Sequence, residues 1–127
     1  MAHPSDRVYS KEHEWVMVDG DVAVIGISHF AQDQLGEVVY VDLPAVGDTL
    51  TSGDSFGEIE SVKSVSELFA PISGEIVEVN SSLDDSPETV NQDPHGDGWM
   101  VKLSLSDAAQ VDTLMSAEEY DAFITEG

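Results

Sequence analysis

Turn chemistry recurs at close spacing along this chain. Asp19-Gly20-Asp21, Val46-Gly47-Asp48, Ser52-Gly53-Asp54 and Pro71 to Gly74 each separate two short apolar runs. Glycine, proline and aspartate set backbone angles that other residues resist, so such punctuation leaves little room for long helices. The runs between the turns are Val8-Tyr9, Trp15 to Val18, Val22 to Ile27, Glu37 to Leu43, Thr49-Leu50, Phe56 to Ser61, Val65 to Phe69, Glu75 to Val79 and Trp99 to Leu105. Many are rich in β-branched residues, and Glu75 to Val79 alternates acidic with apolar ones, as a half-buried strand does. The segment Phe56 to Phe69 also has helical spacing in Ile59, Val62, Ser66 and Phe69. Gly57, the serines, the β-branched residues and the Ala70-Pro71 stop favour two strands there.

Helical signals are few. Ser28 is placed to cap His29 to Leu35, and Gly36 to end it. Ser106 or Asp107 is placed to cap a short helix through Leu114. Ser116-Ala117-Glu118-Glu119 has capping-box spacing, followed by an apolar stripe of Tyr120, Phe123 and Ile124. Asn80 to Gly98 is polar and rich in Pro, Gly, Asp and Ser. A loop of that length is functional, disordered, or hides a short helix. The expectation is a mostly β chain, a barrel or sandwich with appended helices, forming a single domain over residues 1–127.

Charge narrows the function. The chain has 26 acidic residues against four lysines plus arginines, a formal net charge of −22. Nucleic acids and anionic membranes attract clustered cations, so neither is expected as a partner. Hydrophobic residues still make up 41%, enough for a packed core. The acid is spread along the chain and not gathered in a tail, which fits a salty cytoplasm that screens self-repulsion. There are no cysteines, no apolar run of membrane-spanning length, and no hydrophobic signal core between Met1 and Lys11. A cytoplasmic protein is expected.

Sequence chemistry does not indicate an enzyme. No phosphate loop, nucleophile elbow or zinc-helix motif is present. His3, His13, His29 and His95 are scattered without metal-ligand spacing. His3 and His95 read as solvated loop histidines, and His29 with Asp33 reads as a surface pair on a helix. Carboxylates are so numerous that choosing two as an acid–base pair would be arbitrary.

Lys63 is the exception. With Phe56 to Ser61 and Val65 to Phe69 as strands, Val62-Lys63-Ser64 becomes a hairpin tip. It holds the one lysine or arginine in the middle of the chain, the others being Arg7, Lys11 and Lys102. An exposed amine on a rigid tip is what a modifying ligase needs in order to form an amide. An ordinary solvated lysine in a turn would look the same.

The residues around it carry a resemblance that decides between these readings. Glu60-Ser61-Val62-Lys63-Ser64, continuing through Val65-Ser66-Glu67-Leu68-Phe69-Ala70-Pro71-Ile72-Ser73-Gly74, resembles the lipoyl-lysine region of glycine cleavage system H proteins. Further matching stretches follow in order: Lys11 to Trp15, Val24 to Ser28, Ala31 to Gly36, Val41 to Pro44 with Val46 to Asp48, Glu75 to Asn80, Asn91 to Pro94 with Gly98-Trp99, and Glu119-Tyr120. The match runs from about Tyr9 to Ile124. Biotin carriers place methionine on both sides of their lysine, and ketoacid dehydrogenase lipoyl domains often have aspartate before it. Neither pattern is present here.

The resemblance implies a lipoyl-type barrel-sandwich hybrid with lipoate amide-linked to Lys63. It implies a non-catalytic carrier serving three enzymes: the pyridoxal-phosphate glycine decarboxylase, the tetrahydrofolate-dependent aminomethyltransferase and dihydrolipoyl dehydrogenase. A lipoate ligase or lipoyl transferase would attach the group. Lysine plus lipoyl chain has on the order of ten bonds of ~1.5 Å, a reach of roughly a dozen Å. Glu14 and Glu67 are the carboxylates expected to receive the loaded arm's amine. The family usually has Asp at the position of Glu67, a departure that leaves a longer side chain there. A relay that donates lipoyl groups to other enzymes is the alternative reading, since Lys63 would look the same in both.

Overall fold

A computed structural model describes residues 5–106 and 108–126. His3, and Asp107 as an alternative helix cap, lie outside the described residues. Among the described residues, nine strands form two antiparallel sheets. The larger takes β1 (Val8–Tyr9), β2 (Glu14–Asp19), β3 (Val22–Ile27), β9 (Val101–Leu105), β8 (Gly74–Val79) and β5 (Thr49–Leu50), in that spatial order. The smaller takes β4 (Val38–Asp42), β6 (Ser55–Ser61) and β7 (Val65–Phe69). The chain is mostly β, as the turn spacing predicts, and the structure resolves the open choice of barrel or sandwich into two sheets.

The hairpins sit where the turn chemistry places them. Asp19 pairs with Val22 across Gly20, whose φ of 64° is the left-handed conformation that such a turn requires. β6 and β7 pair from Ser55↔Phe69 to Glu60↔Val65, so the strand reading of this segment holds and the helical one does not. Strand alternation turns Ile59 and Leu68 inward to meet Val41 from β4 and Val16, Ile25, Ile76 and Leu103 from the larger sheet, in one buried cluster. Ile59 is 1% exposed. Truncating it to alanine would leave a cavity at a cost of about 2–5 kcal/mol.

α1 (His29–Leu35) is capped as expected: the Ser28 hydroxyl accepts from the Ala31 amide, and the Gly36 amide donates to the Gln32 carbonyl. The polar stretch 80–98 resolves into two one-turn helices, α2 (Ser82–Asp85) and α3 (Thr89–Gln92), which anchor through buried Leu83 and Val90. The expected helix before Leu114 is a 3-10 helix, Ala108–Thr113. α4 (Ala117–Glu126) begins with a reciprocal capping box: the Ser116 amide donates to Glu119 at 2.9 Å, and the Glu119 amide to the Ser116 hydroxyl at 3.1 Å. Its stripe packs Tyr120, Phe123 and Ile124 with Tyr9 and Trp15 in a second cluster.

Two histidine readings need correction. His95 is half-buried, not solvated. Its Nε2 accepts from the His29 amide at 3.2 Å, and its ring meets Tyr9 edge-on. It thus satisfies a donor at the start of α1 that would otherwise need water. His29 turns its Nδ1 to Gln32, 3.1 Å away, one turn along the same helix. Among the described residues, no helix is long and apolar enough to cross a membrane.

Candidate functional site

The tip of the β6–β7 hairpin is held by Ser61. Its hydroxyl accepts from the backbone amides of Lys63 and Ser64, both at 3.2 Å, and donates to the Ser64 carbonyl at 3.3 Å. The Ser61 amide closes the turn on the Ser64 carbonyl at 2.8 Å, and the Val62 amide donates to the Glu37 carbonyl at 3.0 Å. The backbone under Lys63 is therefore fixed on both sides while its side chain is exposed. That is the rigid, accessible amine the sequence implied.

The lysine stem lies over Gly36, at the end of α1. A Cβ placed on Gly36 would fall 2.8 Å from Lys63 Cε and 3.6 Å from Nζ. Gly36 also has φ 81° and ψ −155°, a conformation essentially confined to glycine. Asn91 secures this corner from α3. Its Nδ2 donates to the Gly36 carbonyl and to Gln32 Oε1, and its Oδ1 accepts from the Val38 amide.

Beside this corner is a cleft of about 330 Å³. One wall is α1, with Phe30, Ala31, Gln34 and Leu35. The opposite wall is the β6–β7 hairpin, with Ile59, Ser66, Glu67 and Leu68. The turn before β2 closes it with Glu12, His13 and Glu14, and Ile27 contributes from β3. Leu35 lines the cleft and its neighbour Gly36 carries the lysine stem, so cleft and lysine share the end of α1. Both predicted carboxylates line this one cavity. Glu14 is buried, and Glu67 is exposed at its edge. Lys63 itself is at the hairpin tip and outside the lining.

Glu14 is an unusual carboxyl. It is 2% exposed. Ser10 Oγ donates to its Oε1 at 2.7 Å, while the Phe69 amide approaches Oε2 at 3.4 Å. Burial pushes its pKa from the ordinary 4.5 up to about 8, against the lowering effect of those two hydrogen bonds. His13 adopts φ 71° in the same turn, and its Nδ1 meets the Tyr120 hydroxyl at 2.8 Å. Burial lowers its pKa, which keeps the imidazole neutral near pH 7. The cleft lining thus carries three carboxyl groups and no lysine or arginine.

Sequence reasoning missed Ser10, Ser61, Gly36 and Asn91. Ser10 left a trace, standing four residues before Glu14 in a turn. Gly36 was legible only as a helix stop. Asn91 acts through hydrogen bonds to residues 53, 55 and 59 positions away, and the cleft's apolar wall joins α1 to the separate β6–β7 hairpin; no local pattern carries either.

Comparisons with known proteins give one family throughout. The family model for the glycine cleavage H-protein matches residues 7–127. A glycine cleavage system H protein of Symbiobacterium thermophilum is 56% identical over 124 residues, covering 98% of this chain and 97% of the relative. One from Carboxydothermus hydrogenoformans is 51% identical over 123 residues, covering 97% and 95%. The crystal structure of a glycine cleavage system H protein from Mycobacterium marinum superposes with TM-score 0.89 at 41% identity, covering 96% of this chain and 98% of that one.

Proposed function

The chain belongs to the glycine cleavage H-protein family, and from that premise we propose that residues 1–127 form one lipoyl-carrier domain with lipoate amide-linked to Lys63. It carries the aminomethyl group from the glycine decarboxylase component to the aminomethyltransferase component, and electrons to dihydrolipoyl dehydrogenase. It has no turnover of its own. A lipoate ligase or lipoyl transferase installs the group, and the cytoplasm is the expected setting.

The observation that carries this reading is the pairing of an exposed lysine on a fixed hairpin tip with an adjoining cleft, apolar along its walls and acidic within. The residues fit the group. Phe30, Leu35, Ile59 and Leu68 suit a hydrocarbon arm, and Glu14 and Glu67 suit a cationic end. When bound, lipoate supplies a dithiol–disulfide pair that accepts a carbon fragment at sulfur. The protein's share is placement. Ser61 fixes the lysine backbone, and Gly36 leaves room for the stem. Glu14, held by Ser10, offers a carboxylate to an amine, with Glu67 at the cleft edge. The cleft walls keep water from a labile cargo.

Reconstitution with the three partner enzymes tests the carrier role. Glycine decarboxylation that depends on lipoylated protein supports it. Lipoyl donation to other enzymes without support of glycine decarboxylation would favour the relay reading. Replacing Glu14 and Glu67 together by alanine should shorten the lifetime of the loaded carrier, and an unchanged lifetime would remove their assigned role.

A further inference from the structure

We propose that Glu14 is a proton-coupled latch: a neutral carboxylic acid while the cleft is empty, ionised when a primary amine seats beside it. This rests on the reading that the cleft receives the arm's amine, and adds what the receiving carboxyl does.

The groups facing Glu14 provide little to hold a negative charge. The turn before β2 contributes Glu12 and a neutral His13. β7 contributes Glu67 and the distant Phe69 amide. α4 contributes the Tyr120 phenol, whose pKa is itself raised to about 12. α1 and β6 line the cavity with Phe30, Gln34, Leu35 and Ile59, none of them ionisable. The one close donor is the Ser10 hydroxyl at 2.7 Å, and that donor also accepts from the Glu14 amide. A carboxylate 2% exposed, beside like charges and with no lysine or arginine among the described residues lining the cleft, is costly. The raised pKa agrees with the geometry.

The proton balance is simple. When the cargo arrives as ammonium, the Glu14 O–H bond breaks and its proton goes to water. When it arrives as the free amine, that proton passes to the nitrogen. Either route ends in the same ion pair. A seated arm without an amine supplies no cation and leaves Glu14 protonated. The latch therefore distinguishes loaded from unloaded arms by charge, where the apolar walls cannot. For a cargo that stays ammonium, seating weakens about tenfold per pH unit as the pH falls below the Glu14 midpoint.

Carbon-13 NMR of the Glu14 side-chain carboxyl tests this. The probe is the lipoylated protein, titrated before and after charging with glycine by the decarboxylase. The expected result is a midpoint near 8 before charging that falls by more than one unit afterwards. An ordinary carboxylate midpoint before charging would overturn the latch while leaving the pairing of amine and carboxylate standing. A high midpoint that charging does not move would overturn both, because no cation then reaches Glu14.

Discussion

The stem of Lys63 rests on the backbone of Gly36, so close that a Cβ on Gly36 would stand 2.8 Å from Lys63 Cε. The helix that lines the cleft ends at this glycine, and the Lys63 stem lies above it. Sequence assigns Gly36 a helix stop. The structure adds a seat for the lysine.

Gly36→Ala should therefore do two things. At φ 81° an alanine is strained by about 1–3 kcal/mol, lowering Tm on the order of 5–10 °C. Its methyl also displaces the lysine stem, which is flexible and can yield. Lipoylation should proceed to completion, while the loaded carrier loses its cargo faster. Calorimetry, intact mass and a timed loss assay check the three outcomes.

Ser10→Ala removes the close donor to Glu14. A hydrogen bond to a charged group contributes about 1.5–3 kcal/mol against about 1 for a neutral one, a difference of about one pKa unit. The Glu14 midpoint should rise by about that much above its value near 8. Carboxyl NMR measures it, and a fall would contradict the role given to Ser10.

Glu14→Gln should reveal a pH-dependent stability difference. The folded pKa of Glu14 is raised above its ordinary 4.5, so the folded state holds more protons than the unfolded state between 4.5 and about 8. Wild-type stability from this group is fully present below pH 4.5 and is lost as pH rises through 8. The uncharged glutamine escapes that loss. The variant's advantage over wild type should grow across this window by up to about 4–5 kcal/mol, and level off above it. Denaturant unfolding at a series of pH values checks the slope. Comparing the two proteins cancels the rest of the acidic surface.

A net charge of −22 predicts salt dependence. Among the described side chains, the few ion pairs include Arg7 with Asp6 and Lys102 with Glu78 at 3.5 Å, too few to offset the acid. Thermal melts in potassium chloride should rise as screening relieves self-repulsion. A melting point independent of salt would contradict adaptation to a salty cytoplasm.

The parts of the fold visible in sequence were those set by local chemistry. Gly20 and Gly53 adopt the positive φ their turns require, Ser28 caps α1, and Ser116 with Glu119 forms its box. Lys63 was legible because one residue stood out against its surroundings. The cleft was not. Glu14 looks like any other carboxylate in the sequence, and its burial arises only in the folded chain, with Ser10 and the Phe69 amide beside it. His95 read as solvated because its neighbours Asp93, Pro94 and Gly96 are turn residues, while its partners Tyr9 and His29 are distant in sequence.

The proposed function depends first on whether Lys63 carries the lipoyl arm. Peptide-resolved mass spectrometry of the protein from its native host tests it most directly. One lipoyl modification is expected, on the peptide holding Glu60 to Glu67 and localised to Lys63. An unmodified Lys63, or a lipoyl group on Lys11 or Lys102, would contradict it.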